Sequence, residues 1–376
     1  MLVGSVRSSK FNALVIGVVV FITAFAALVY NQLDSWELPT RPQTDSWSNS
    51  PSTQAPKAKS AEAQLRSTWF DHLHKPSIKP DAPFYQPYGA FKWDLKSEPK
   101  FPEPMGEELC IIDLDNRPFD APDQIFGPHV MSWKNASQIH GLSMGVLNHW
   151  LYAKIHGYKY YFIAIDTPED RRASWKKPPI ISKILKDHKT CLYLDSDAIF
   201  HNLDLPFEWL MNYWDIDPAT NSLALAVDPD REFNKDKKGK LMLNTGFIVA
   251  QNNPKTYEIM NAWEGCPEAN GRYPECVEFR LNDPGRPTDQ GGFGTYVRYD
   301  YPNDIKELSC QDANGYPDSG SDCEGKFIRH LWTGKDSWIK IFVGEQVPGP
   351  YLEMFHKEYL AEKSSFYITE KQLMGR

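Results

Sequence analysis

The run that most constrains this chain is Thr190-Cys191-Leu192-Tyr193-Leu194, followed at once by Asp195-Ser196-Asp197 and then by Ala198-Ile199-Phe200. A stretch apolar on both faces reads as a strand inside a mostly parallel sheet that is covered on both sides. Such a strand needs helices and further strands around it, and the sequence supplies them in alternation. Leu109-Cys110-Ile111-Ile112-Asp113 is a first strand. The stretch from Gln138 to His156 carries Leu142, Val146, Trp150 and Ala153 at three- and four-residue steps, which predicts a helix with one buried face. Gly157 follows as its stop. Tyr160 to Ile165 is a second strand, Pro179 to Asp187 a second helix, and Ser222–Val227 and Thr245–Ala250 are further strands. This order predicts an α/β fold: a Rossmann-like mixed sheet flanked by helices, with ligands at the carboxyl ends of its strands.

The chemistry is expected where the buried run breaks. A strand that ends in Asp195-Ser196-Asp197 pushes two carboxylates out at the sheet edge, and two carboxylates that close repel each other unless a cation sits between them. Hard oxygen ligands suit Mg²⁺ or Mn²⁺ and leave positions open for a diphosphate. An Asp-x-Asp pair is common in surface turns, but a surface turn gives no reason for an acidic pair between Leu194 and Ala198. Asn244-Thr245-Gly246 opens another apolar strand and forms either a plain turn or one wall of a pocket. Asp289-Gln290 precedes Gly291-Gly292 and is either a loop or a pair of hydrogen-bonding groups for a sugar. His330 follows Phe327-Ile328, where it would complete a metal site or be a satisfied structural histidine, and Lys335 would meet phosphate.

Charge and composition narrow the partners. The formal net charge is −8 and there is no basic run, which disfavours nucleic acid, because such binding needs Lys and Arg to displace counterions. Aromatic residues make up 13% of the chain, enough both for a core and for ring faces that stack on sugars. Phe11 to Tyr30 is apolar and long enough to span a bilayer core of about 30 Å. Arg7 and Lys10 precede it, so the positive-inside rule sends the remainder across the membrane. The expected organisation is a cytosolic tail at 1–10, a transmembrane signal anchor at 11–30, a flexible stem at 31–83 and a lumenal domain at 84–376. A signal peptide cleaved near Ala24-Phe25-Ala26 is the alternative. Both place the bulk of the chain in a secretory lumen, and six cysteines agree with that compartment. Cys266 with Cys276 and Cys310 with Cys323 each flank a short loop that a bridge could staple, whereas Cys191 reads as a buried thiol. Asn135-Ala136-Ser137 is a glycosylation sequon.

Taken together, Asn148-x₃-Tyr152-x₃-His156-Gly157-Tyr158, Trp175-x-Lys177, Leu194-Asp195-Ser196-Asp197-Ala198, Asn244-Thr245-Gly246, Asp289-Gln290 and His330 resemble the Golgi α-galactosyl-, α-mannosyl- and α-xylosyltransferase family. Fungal α-1,2-galactosyltransferases and α-1,6-mannosyltransferases belong to that family. The resemblance runs from about Gln138 to Trp338. It implies a GT-A type fold, a divalent cofactor (Mn²⁺ or Mg²⁺), a UDP- or GDP-sugar donor and a retaining transfer to a glycan or glycoprotein acceptor. It also implies a single-pass type II protein of the Golgi or ER membrane, alone or as a homo- or hetero-oligomer. By motif position, Asp195, Asp197 and His330 would hold the metal, and Asn148, Tyr152, His156 and Gly157 would line the nucleotide pocket. Lys177 and Lys335 would meet the diphosphate, and Asp289 and Gln290 the transferred sugar. One departure stands out. Glycogenin-like relatives end in His-x-x-Gly-x-x-Lys-Pro-Trp, whereas this chain has His330-x-x-x-Gly334-Lys335-Asp336-Ser337-Trp338. Two other classes remain open: a catalytically silent lectin or scaffold of the same fold, and a metal-dependent hydrolase of phosphorylated sugars.

Overall fold

The computed structural model describes residue 70 and residues 74–87, 91–281, 288–346 and 349–375. The expected anchor at 11–30 and most of the stem lie outside the described residues. Among the described residues, no helix is long and apolar enough to cross a membrane.

The elements follow in order as β1 (Phe84–Tyr85), β2 (Trp93–Asp94), β3 (Leu109–Asp115), α1 (Gly141–His156), β4 (Lys159–Ala164), α2 (Lys177–Leu185), β5 (Thr190–Leu194) and β6 (Ala198–Phe200). Then come α3 (Phe207–Tyr213), β7 (Leu223–Val227), β8 (Leu243–Gln251), α4 (Pro254–Glu264), α5 (Asp289–Thr295), β9 (Ile305–Leu308) and α6 (Cys310–Ala313). The chain ends with β10 (Ile328–His330), α7 (Lys335–Gln346), α8 (Gly349–Phe366), β11 (Tyr367–Thr369) and α9 (Glu370–Met374). Seven strands form one sheet in the order β11-β4-β3-β5-β8-β7-β9. It is parallel from β11 to β5 and between β7 and β9, while β8 runs antiparallel to both neighbours. A separate antiparallel pair, β6 with β10, sets Ala198 opposite His330. This is the mixed, largely parallel α/β sheet that the alternation predicts.

Every residue of β5 is buried, and its side chains serve two cores. Leu192 and Leu194 join the cluster under α1, whereas Cys191 and Tyr193 join the one under α2 and α4. The pleat thus explains why the run is apolar on both faces. Helix α1 goes further than its pattern implied, because it is buried almost all round. The reason is its position among β3, β4, β6, α7 and α8, which leaves little of it to solvent. Gly157 ends α1 in the left-handed region at φ 73°, as a helix stop requires.

Two sequence expectations change. Cys191 is not a thiol: it is bridged to Cys110, its registered partner on the adjacent parallel strand, with Cα atoms 4.5 Å apart. Register between strands 81 residues apart leaves no local trace, so an apolar run was all that could be read around it. The other two bridges, Cys266–Cys276 and Cys310–Cys323, close the short loops expected. Secondly, residues 74–83, assigned to the stem on composition, lie as a strap on the domain. Ser77 N donates to Asp204 O (2.9 Å), while Trp209 Nε1 donates to Ala82 O (2.9 Å) and Asn212 Nδ2 to Pro80 O (3.1 Å). Side-chain donors from α3 take up the strap's carbonyls, so a proline-rich segment is fixed without a ladder.

Candidate functional site

The carboxyl end of β5 turns sharply. Asp195 N donates to Gly246 O at 2.7 Å and Ala198 N donates back to Asp195 O at 2.8 Å. The turn lies hard against α1: a Cβ at Gly145 would come 1.9 Å from Ser196 O, so only glycine lets the helix pass. In front of the turn is a cavity of about 330 Å³, lined among others by Asp195, Asp197, Lys177, Thr245, Asp289, Gln290 and Lys335. Its lining runs from Leu114 to Lys335, so segments far apart in the sequence meet there.

The cavity is charged and internally paired. Lys177, buried at the start of α2, lies 3.0 Å from Asp195 Oδ1 and 3.4 Å from Asp289 Oδ2, and donates to Thr245 O at 3.1 Å. Burial works to lower its pKa, but Asp195 and Asp289 outweigh it and hold the ammonium charged, with a net upward shift. Tyr193 OH donates to Asp195 Oδ1. Asp197 faces His330 Nε2 at 3.3 Å and pairs with Lys335, which is half exposed. Burial alone would raise the Asp197 pKa, yet His330 and Lys335 bring it below the ordinary carboxylate range. His330 shows the mirror image, with burial opposed and overcome by Asp197.

One oxygen or nitrogen each from Asp195, Asp197 and His330 fall within 4.8 Å of one another. Two carboxylates and an imidazole are a donor set suited to Mn²⁺ or Mg²⁺. His330 Nδ1 is a buried nitrogen with no hydrogen-bond partner among the described residues, and the long contact at Nε2 leaves the ring short of partners. The residues therefore fit a divalent cation held by the imidazole and the two carboxylates. Steric room agrees, because a Cβ at Gly246 would stand 2.4 Å from His330 Cε1.

Thus Asp195, Asp197, Lys177, Asp289, Gln290 and Lys335 gather around one cavity, with His330 buried beside Asp197. Asn148, Tyr152, His156 and Gly157 do not line it. Asn148 donates from Nδ2 to Phe200 O (3.1 Å) and accepts at Oδ1 from Phe200 N (2.8 Å). Tyr152 stacks on Phe200 with centroids 3.8 Å apart and donates to Leu205 O, and His156 Nε2 donates to Leu203 O at 2.8 Å. Steps of four place these three side chains on one face of α1, and that face grips residues 200–205, the chain leaving the acidic turn. Among the lining residues absent from the sequence reading are Asp115, Asn116 and Arg117, at the end of β3. Arg117 binds Asp115 through Nε (2.8 Å) and Nη2 (2.6 Å), and donates from Nη2 to Ser196 Oγ at 2.8 Å. The rule that ligands sit beyond strand carboxyl ends would have found them.

The fold and the site together define an α/β protein with a metal-suited acidic edge beside a charged cavity. Comparison adds that residues 130–284 match the model of the galactosyl transferase GMA12/MNN10 family. The probable xyloglucan 6-xylosyltransferase 5 of Arabidopsis thaliana is 23% identical over 214 residues, 54% of this chain and 43% of that protein. The xyloglucan 6-xylosyltransferase 1 of the same plant is 27% identical over 129 residues, 33% of this chain and 26% of that protein. A probable glycosyltransferase 3 of Oryza sativa subsp. indica is 22% identical over 216 residues, 56% of this chain and 39% of that protein. The chain thus spans less than half the length of these relatives. Among solved structures, a glycosyltransferase involved in glycosylation of the major capsid of PBCV-1 aligns at 16% identity and a TM-score of 0.42, over 64% of this chain and 99% of that one. Mouse xyloside xylosyltransferase 1 aligns at 11% identity and a TM-score of 0.35, over 60% and 98%. The fold assignment rests on the chain's own topology.

Proposed function

We propose that this chain is a retaining glycosyltransferase that moves a sugar from a UDP- or GDP-sugar to a glycan or glycoprotein acceptor. The observation that carries the proposal is the cluster of Asp195, Asp197 and His330, whose two carboxylates line the cavity together with Lys177, Asp289 and Gln290. Galactose or mannose is the donor sugar that the motif order suggests, and the names of the plant relatives add xylose. We place the chain in the Golgi or ER membrane as a single-pass type II protein, on the strength of the apolar segment at 11–30.

A divalent cation held by Asp195, Asp197 and His330 would supply Lewis-acid stabilisation of the departing diphosphate. The remaining work falls to side chains. Lys335, on a half-exposed stem at the start of α7, leaves Asp197 and meets the phosphate. Lys177 is fixed between two carboxylates and keeps Asp195 and Asp289 in register, with its positive charge facing the cavity. Asp289 and Gln290 orient the sugar. A retaining front-face transfer needs no strong enzyme base, because the leaving phosphate oxygen takes the acceptor proton. Fixed charges aimed at developing leaving-group charge are worth roughly 10²–10³ in rate per donor.

The test uses the purified full-length chain with UDP- and GDP-linked galactose, mannose and xylose, in Mn²⁺ or Mg²⁺ and in EDTA, with released nucleotide as readout. Metal-dependent release that is lost in a folded Asp197→Ala variant supports the proposal. Undiminished turnover in that variant sinks it. Donor binding without turnover in any mixture supports the lectin or scaffold class instead.

A further inference from the structure

Behind the cavity wall lies a carboxylate that no motif marks. Asp228 follows β7 directly and is only 5% exposed. Its Oδ1 accepts from Asn244 Nδ2 at 2.8 Å and from Asn314 Nδ2 at 3.1 Å, and its Oδ2 accepts from Gln290 Nε2 at 2.6 Å. An ionised carboxylate only accepts, so it turns the nitrogen end of all three amides toward itself. Each amide oxygen then faces away, and each meets a backbone N–H. Asn244 Oδ1 accepts from Gly246 N (2.8 Å), Gln290 Oε1 from Thr245 N (3.3 Å) and Asn314 Oδ1 from Gly315 N (3.0 Å).

The segments fixed in this way are the ones that place the candidate ligands. Gly246 O receives Asp195 N at 2.7 Å, Gly315 O receives His330 N at 3.0 Å, and Gln290 directly follows Asp289. Burying a carboxylate is costly unless its lone pairs are met. What this one returns is orientation, since three amides that could each flip are held one way round. We propose that Asp228 is a positioning residue that sets the Asn244–Gly246 turn, Gln290 and the His330 backbone in the arrangement that binds a divalent cation. The inference rests on the metal-site reading above. It also gives Gln290 a second task, because one donor and one acceptor of its amide are used inside the protein.

The experiment is Mn²⁺ titration calorimetry on the full-length chain, with circular dichroism and a thermal melt beside it. D228N sets an amide nitrogen or oxygen against groups that now face a uniform acceptor. It should weaken Mn²⁺ binding by roughly tenfold or more, the cost of losing a group that orients ligands. The exchange D228N/N244D puts a carboxylate opposite an amide again across the same bond, while Asn314 Nδ2 keeps Val227 O as an acceptor at 3.1 Å. Most of the lost affinity should return. Wild-type Mn²⁺ affinity in D228N overturns the inference. If D228N does not fold, the exchange variant decides: recovery of fold and affinity supports the inference, and failure overturns it. Failure of the metal-site reading shows separately, as absence of Mn²⁺ binding in the wild-type chain, and takes this inference with it.

Discussion

Gly246→Ala tests the proposed metal site with a single methyl group. The added Cβ would stand 2.4 Å from His330 Cε1 and 2.8 Å from His330 Nε2. Carbon atoms out of bonding contact settle at about 3.5–4.0 Å, so the ring must retreat by roughly 1 Å. It has little room to do so. His330 N is tied to Gly315 O, and the ring lies parallel to Trp332 at 2° with centroids 6.0 Å apart. Metal–ligand bonds keep to within about 0.2 Å of their preferred length, so a shift of that size takes the imidazole out of the proposed ligand set. Mn²⁺ affinity should fall about 10–100-fold, which is about 1.4–2.8 kcal/mol. Overpacking strain adds about 1–3 kcal/mol to the loss of stability, and at about 2–4 °C per kcal/mol the Tm should drop by several degrees. Calorimetric Mn²⁺ titration and melts with and without Mn²⁺ read the two effects apart, because a ligand at free concentration L that binds only the native state stabilises it by RT ln(1 + L/Kd) and so raises Tm according to its affinity. A variant with lowered Tm and unchanged Mn²⁺ affinity would show that His330 is not a ligand, and one unchanged in both would refute the steric argument.

The proposed sugar side has its own glycine. A Cβ at Gly292 would meet Trp175 Cη2 at 2.5 Å and the sulfurs of Cys276 and Cys266 at 2.8 and 3.2 Å, so Gly292→Ala should displace α5 and with it Asp289. We expect kcat to fall by about 10²-fold with Mn²⁺ affinity kept, and equal losses in both would contradict the division of labour proposed. Asn148→Ala should leave Phe200 N unpaired, while Phe200 O keeps Gln346 Nε2 at 2.8 Å, and cost about 1–3 kcal/mol in urea denaturation. Nucleotide affinity of the folded fraction should not change, and its collapse at normal stability would return Asn148 to the pocket. His156 and His201 are both pushed down to about 4, mainly by burial, with Arg329 adding to the effect on His201. The unfolded chain, with histidine near 6.5, therefore binds protons first, and stability falls as pH drops from about 6.5 to about 4. Each histidine contributes a slope of about 1.4 kcal/mol per pH unit in that window. Urea midpoints against pH should flatten by one histidine's share in His156→Gln, and an unaltered slope would exclude His156 as a source.

How far the chain could be read before its structure depended on whether the signal was local. The break from Leu194 to Asp195 is local: an apolar strand that runs into two carboxylates must find them partners beyond its end, so the acidic turn, its strand and its place at the sheet edge were all legible. The short bridges at Cys266–Cys276 and Cys310–Cys323 were legible for the same reason. The Cys110–Cys191 bridge was not, since it depends on which strands become neighbours and in what register. Asp115 and Arg117 were missed by a narrower margin. The strand was expected to stop at Asp113, but Asp113 is buried inside β3, its charge met by His149 Nδ1 at 2.8 Å and by Tyr160 OH. Burial still pushes its pKa up. An acidic residue within an apolar run therefore looked like a strand end and hid the true end two residues later.

The row Asn148, Tyr152, His156 shows why motif order speaks more reliably about fold than about contacts with ligand. Polar residues at steps of four on a helix beside an acidic turn look like a ligand-facing edge, and a resemblance built on their order cannot tell that from a buried clamp. The structure separates the two through partners. All three side chains bond to main-chain atoms of residues 200–205, and both hydrogen-bonding ends of the Asn148 amide are used within the protein. Asp228 is the reverse case: one acidic residue with no pattern around it, holding three amides, of which the motifs name Asn244 and Gln290. In both cases a polar side chain acts on the site through the backbone it fixes. That kind of residue carries a function without touching the ligand, and only the geometry of its hydrogen bonds reveals it.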